Sequence, residues 1–362
     1  MWMRGVEVIV TQADDPSNKV TFYKHRIDFE VRSTVGWPAD TANITLFNLS
    51  LEEVKFLQSK NYGDMFIEIR AGYQDQLVQE GVQQQTVSPG QGAQITIGGT
   101  QVLPTIFSGV ITNAVGFRRP PEHVTQLFCI SKAYGAATDF ANLTPIKAGA
   151  TLKEAIESMC KDYGFNTIST YGVGEQTLNR VLPRGRTFRD TFLTEFKHLL
   201  SEYNLLYTLT TGEVQIFSDA YGDKDAVDRM SKDREPIKLD ANSVIGNPIA
   251  GICTYNLKTF LNPSVQPGMI LDVSPLLGKE LLVNGVTSVS GQGIILNTDQ
   301  SVFRWAMEDK YFIMEVVHFG STHSMEFQTS ISSVLGGNTA MGMREKNYQD
   351  MYAASGMAME SF

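Results

Sequence analysis

The sequence predicts an α+β fold, mainly β, in which two strand-rich blocks flank a helical middle. Near the start, residues 42–50 lead into a capped helix and then into the alternating stretch 64–73. Near the end, residues 262–268 open a second strand-rich stretch that closes with residues 314–323. Between the blocks the apolar spacing changes from two residues to three and four, the period of a helix. At 362 residues the chain exceeds what one hydrophobic core ordinarily supports, so two or three domains are expected.

In the first block, residues 5–10, 20–33, 42–49 and 64–73 alternate apolar and polar side chains or are rich in β-branched residues, as half-buried strands are. Ser50 and Glu53 have the spacing of a capping box, which predicts a short helix carrying Val54 and Leu57. From residue 74 to 104 the composition turns to Gln, Gly and small residues, the signature of a long loop or hairpin. Its amides at Gln83, Gln84, Gln85, Gln91 and Gln94 would hydrogen-bond a partner without bringing charge into the contact, or form a solvated tip without one. Residues 106–114 and 124–131 return to strand pattern around the turn-forming Arg118–Pro121.

The middle opens with a second capping box, Thr151 with Glu154, and places Leu152, Ala155, Ile156 and Met159 on one helical face before Gly164. Thr187 is placed to cap a further helix, with Phe188, Phe192, Phe196, Leu199 and Tyr203 as its stripe, a core face rather than a ligand pocket. Residues 205–210 and 213–217 read as a hairpin turning at Thr211 and Gly212. The charged run 219–236 reads as a solvated linker or surface helix. Strand patterns resume from Val244 and continue to Ser332, and the Gly-, Met- and Ala-rich tail from Leu335 reads as an arm or a segment disordered until bound.

Composition narrows the function. Apolar content of 42% with 19% charged residues describes an ordered globular protein, and no apolar run approaches the roughly 18–20 residues that cross a bilayer. The N-terminus enters an alternating strand without the pattern of a secretory signal, so folding in a cytoplasm is expected. Cys129, Cys160 and Cys253 form no CxxC pair, which points to buried, inert thiols rather than a disulfide framework or zinc. A net charge of −9 disfavours sequence-reading contact with nucleic acid, although a surface that DNA merely passes tolerates it.

No residue set is built for chemistry. Gly172 and Gly174 lack the third glycine of a nucleotide loop, and His318 and His323 lack the helical spacing of a zinc protease. There is no GxSxG elbow. Only distant acids such as Glu68, Glu195 or Asp272 could combine as paired carboxylates. The cluster Arg180, Arg184, Arg186 and Arg189 surrounds a turn at Pro183 and Gly185, where it reads as pairing with acids at an interface, with Arg184 and Arg186 as candidate contacts. The expectation is a non-enzymatic protein without cofactor or metal.

Several segments taken in order resemble the baseplate hub proteins of tailed bacteriophages: residues 43–50, Ala71–Tyr73, residues 106–111, the Thr151 and Thr187 helices, residues 245–248, Leu261–Pro263 and Val317–Gly320. The resemblance runs from about residue 5 to 333, and the order of the segments carries its specificity. It implies two tail-tube-like β-barrels with an inserted small α+β domain. The boundaries are a first barrel over 1–133, the α+β domain over 134–218, a charged linker over 219–240, a second barrel over 241–334 and an arm over 335–362.

It further implies a homotrimer whose six barrels form a pseudo-hexameric ring joining the hexameric tail tube to a trimeric spike, beside other baseplate subunits. DNA would pass through the lumen without specific binding, and the protein would sit in the virion tail after assembly in the host cytoplasm. The acidic charge would suit that lumen by discouraging sticking. A receptor- or carbohydrate-binding β-protein of the virion, or a cell-wall hydrolase, is the alternative. Trp2, Trp37 and Trp305 are too scattered to form the aromatic platform that carbohydrate binding favours.

Overall fold

A computed structural model describes residues 3–36, 40–59, 64–74, 96–97, 100–101, 103–131, 144–165, 167–210, 213–219, 226–246, 248–250, 254–276, 287–290, 293–296 and 310–335. The first block holds β1 (Met3–Gln12), β2 (Lys19–Phe22), β3 (Ile27–Thr34), β4 (Thr41–Phe47), α1 (Leu51–Leu57), β5 (Met65–Gln74), the short pair β6 (Thr96–Ile97) and β7 (Thr100–Gln101), β8 (Thr105–Arg119) and β9 (Glu122–Ser131). The middle holds α2 (Leu152–Asp162), β10 (Thr167–Tyr171), α3 (Glu175–Leu178), α4 (Phe192–Ser201), β11 (Leu205–Thr210), β12 (Glu213–Ser218) and α5 (Ala226–Asp233). The last block holds β13 (Ile237–Lys238), β14 (Ile249–Ala250), β15 (Thr254–Phe260), β16 (Ile270–Asp272), β17 (Thr287–Ser290), β18 (Gly293–Leu296), β19 (Lys310–Ser321) and β20 (Phe327–Leu335).

Both capping boxes form. The Ser50 hydroxyl accepts the Glu53 N–H at 3.3 Å while the Glu53 carboxylate accepts the Ser50 N–H at 2.7 Å, and Thr151 and Glu154 repeat the exchange at 3.2 and 2.8 Å. Each box satisfies two amides that have no partner inside the helix. Gly164 follows α2 with φ +88°, a left-handed conformation open to glycine at little cost. Thr151→Ala is expected to remove about 1 kcal/mol of stability, read as a lower urea midpoint with an unchanged slope; Thr151→Ser should restore most of it.

Two local expectations are corrected. Residues 20–33 make two strands, because the chain turns through Tyr23–Arg26, where Arg26 lies over the Phe47 ring and reaches the Asp28 carboxylate at 3.3 Å. The helix expected after Thr187 begins at Phe192 and is capped by Thr191, whose hydroxyl accepts the Thr194 N–H. Glu195 reaches back to the Arg189 N–H at 3.1 Å and holds the preceding residues in a loop. The charged run, read as a solvated linker or surface helix, contains the helix α5, whose Ala226, Val227 and Met230 are buried along one face.

The mainly β, α+β class stands, but the two strand blocks are not separate. They share one 13-stranded sheet in the order β14-β15-β20-β19-β3-β4-β9-β8-β5-β1-β2, with β16 on β19 and β13 on β16. The joint is β3 against β19, antiparallel from Asp28 with Ser321 to Thr34 with Glu315. A bulge between Ile313 and Glu315 lets β19 pair with β16 over its first residues and with β3 over its last. Among the described residues the sheet is open, and no closed barrel forms.

The middle has its own three-stranded sheet, β10-β12-β11, packed with α2 and α4 around Phe192, Phe196, Leu199 and Ile216, so the aromatic stripe is core. The hairpin of β11 and β12 pairs in the expected register. A separate cluster fastens the middle to the sheet: Phe217 and α5 meet Val35, Ile270, Phe312 and Val334. The antiparallel pairing puts the end of β3, the start of β19 and the end of β20 together there. The middle unit therefore covers one end of the sheet, while the opposite end consists of turns.

Candidate assembly surface

The shared sheet has one buried and one accessible face. On β3, Ile27, Phe29 and Val31 are buried while Glu30 and Arg32 are exposed, and on β4, Ala42, Ile44 and Leu46 alternate in the same way with Asn43 and Thr45. Register aligns the accessible side chains into rows across the blocks. Lys258, Ser330, Val317, Arg32 and Thr41 form one row, and Phe319, Glu30, Asn43 and Phe128 form the next.

A shallow groove of 720 Å³ runs over these rows and is lined by three cations, Arg26, Arg32 and Lys258, and four carboxylates, Asp28, Glu30, Glu315 and Glu326. Arg32 meets Glu315 at 3.2 Å, and Asp28 holds both Arg26 and the Ser321 hydroxyl. Arg32 and Glu315 are diagonal neighbours across the β3–β19 pair, a separation that long side chains of opposite charge can bridge. The face is thus close to electrically balanced, and the chain's −9 charge is not concentrated on it.

The turn end is apolar in a way that interiors do not explain. Of the eight exposed large apolar residues among those described, six lie there: Tyr23 before β3, Leu51 after β4, Val115 and Phe117 near the end of β8, Phe260 at the end of β15 and Met325 between β19 and β20. Hydrogen bonds tie these turns into one rim, from Thr322 N–H to Ile27 O, from Phe47 N–H to Arg26 O, and from His123 N–H to Asn48 Oδ1. Apolar groups gathered on one surface mark a contact site more often than scattered ones do. Strand alternation was visible in sequence, but the rim was not, because its members come from turns far apart in the chain.

The residues singled out from sequence fall elsewhere. Gln83, Gln84, Gln85, Gln91 and Gln94 lie outside the described residues, as do Cys253, the three tryptophans and the tail beyond Leu335. Arg184 is exposed on the middle unit, and Arg186 donates to Glu202 Oε1 at 2.8 Å within the same chain. Arg180 stacks over Tyr203. The arginines are thus dispersed along the middle unit, and neither Arg184 nor Arg186 bonds the sheet among the described residues.

The acids considered for catalysis are each held locally: Glu68 by Arg70 and Thr105, Glu195 by the Arg189 N–H, and Asp272 by Ser274. Cys129 and Cys160 are buried; burial raises both thiols, Cys160 to about 12. Among the described residues no group of three His, Cys, Asp or Glu could hold a metal ion, and no helix is long and apolar enough to cross a membrane. A second cavity, of 340 Å³, sits where the first block, the middle unit and the last block meet, between Asp40, Thr208, Gln215 and His318.

No protein-family model matches the sequence, and no curated protein matches it. Solved structures do match over nearly the whole chain. A tail protein from Neisseria meningitidis MC58 superposes with a TM-score of 0.50 at 10% identity, covering 93% of this chain and 98% of its own. The 43 kDa tail protein of prophage MuSo2 from Shewanella oneidensis gives a TM-score of 0.50 at 7% identity, covering 91% and 98%. At such identities the likeness concerns the fold, and the chain has the fold of these tail proteins.

Proposed function

We propose that the protein is a structural hub of a phage tail baseplate, a homotrimer whose ring joins the hexameric tail tube to a trimeric spike. The observation that carries this reading is the single open sheet contributed by both strand blocks. Among the described residues its terminal strands, β14, β2 and β13, each pair on one side only. Unpaired edges invite pairing with another chain, and head-to-tail contacts between identical copies close into a ring when the rotation allows. In this reading each block corresponds to one tube-like barrel, so three chains present six equivalent units to the tube and three to the spike.

The polar, charge-balanced face suits the wall of the lumen, where DNA would slide without being held, and the apolar rim suits an axial contact with a neighbouring ring. The role is mechanical, with no reaction and no cofactor, and its place is the tail of the virion after assembly in the host cytoplasm. The middle unit, with Arg184 and Arg186, and the glutamine-rich segment are left for contacts with other baseplate subunits.

The test is the mass of the purified chain by light scattering, followed by averaged electron images. A particle of about three times the 40.1 kDa chain mass, with a central hole and six lobes, is the expected result. A stable dimer without a channel would overturn the reading.

A further inference from the structure

The 340 Å³ cavity has a polar floor, unlike the apolar clusters that fill the rest of the interior. Ser131 on β9, Thr208 on β11, Gln215 on β12 and His318 on β19 line it, and each is more than nine-tenths buried. Its mouth meets solvent at Thr105 and Gln266, which are exposed.

Buried polar groups ordinarily have partners, and here several are left for the cavity. Among the described residues the Ser131 and Ser108 hydroxyls make no hydrogen bond. Gln215 donates one amide N–H to Glu213 at 3.4 Å, and His318 engages Thr329 through Nδ1. The Asp40 carboxyl bonds the Ser33 hydroxyl and the Thr34 N–H, and a carboxyl has acceptor capacity beyond two such bonds. One or two bridging waters would not fill this space, which falls within the range of about 300–1,000 Å³ typical of small-ligand sites.

The lining selects the chemistry of an occupant. No Arg or Lys lines the cavity among the described residues, and burial holds His318 down to about 4, so it is neutral. An anion would therefore be desolvated there without a counter-charge. A single carboxyl is a poor donor set for a hard divalent cation. The remaining wall is apolar, formed by Ile106, Phe107, Val265 and two prolines. The Phe107 ring packs over Gly109, where any Cβ would displace it.

We propose that this cavity binds a neutral saccharide of one or two rings, with its hydroxyls on Ser131, Gln215, His318 and Asp40 and its C–H groups against Phe107 and the prolines. A sugar ring carries hydroxyls that both donate and accept around its edge and C–H groups on its faces, which matches uncharged donors and acceptors set beside apolar groups. The floor residues sit on paired strands, so their positions are set before a ligand arrives. The site goes beyond the hub role and does not depend on it, because every lining residue comes from one chain.

Methyl NMR spectra of the full-length protein read the site through Ile106 and Val265. Titrated with glucose, galactose, N-acetylglucosamine, lactose and maltose, both signals are expected to shift saturably with at least one sugar at millimolar concentration, and inorganic phosphate is expected to shift neither. A glycan array probed with the same protein separates the sources: a response there without one to the free sugars assigns the site to the end of a longer glycan. Ser131→Leu fills the floor and should abolish binding. Ser131→Ala removes only an unpartnered hydroxyl, so it should keep the fold and weaken binding roughly fivefold to tenfold. Silence in both assays, binding that survives Ser131→Leu, or equal binding of phosphate would overturn the proposal.

Discussion

Phe217→Ala is expected to lower stability by about 3–5 kcal/mol, the range for deleting a fully enclosed aromatic side chain. Phe217 has no exposed surface. It projects from β12 out of the middle unit's own core and into the cluster that meets the sheet, stacking with Tyr171 at 5.6 Å and meeting Phe312 edge-on at 5.6 Å. Its loss empties a space bounded by two independently packed bodies, neither of which can collapse alone to refill it. Denaturation followed separately by Trp-free probes in the middle unit and in the sheet should then show two transitions in place of a shared one. A loss below about 1 kcal/mol would mean that the two bodies do not depend on this contact.

Gly268→Ala should cost about 2–4 kcal/mol, combining left-handed strain with overpacking. Gly268 has φ +84°, and its N–H donates to Ile313 O at 2.8 Å, which pins the backbone beside the bulge of β19. A Cβ built there would collide with the fully buried Phe217 ring. The two positions are therefore coupled. Combined with Phe217→Ala, the glycine change should lose most of its steric part, leaving a coupling of roughly 1–3 kcal/mol in a double-mutant cycle. Strict additivity would remove Phe217 as the cause.

The parts of this fold that could be read in the sequence are those whose physics is local. Ser50 with Glu53, Thr151 with Glu154, and Gly164 act within one helical turn, so their spacing suffices. Thr187 and Thr191 show how narrow that reach is, because both are good caps and the choice falls to Glu195, whose carboxylate reaches back to Arg189. In α5 the dense charges concealed a short apolar face whose burial depends on Ile270 and Phe312 arriving from the last block. Alternation told that β3 and β19 are strands, and said nothing of their pairing, since every alternating strand fits any other. Asp40 carried no signal at all: a lone acid between strands acquires its character from the cavity walls.

The strand β19 has a consequence for how the chain is made. The hydrogen bond from the Ile27 N–H to Thr322 at the edge of the β3–β19 joint spans 295 positions. A ribosome adding about 5–20 residues per second needs roughly 15–60 s to cover that distance. For most of that interval β3 and β4 are both synthesised, yet the other side of β3 has no neighbour from its own chain. Nascent chains on one message would be side by side with the same unfilled side, the arrangement that favours mispairing between molecules. Slower elongation in the middle region should therefore lower the yield of soluble protein even though no amino acid has changed.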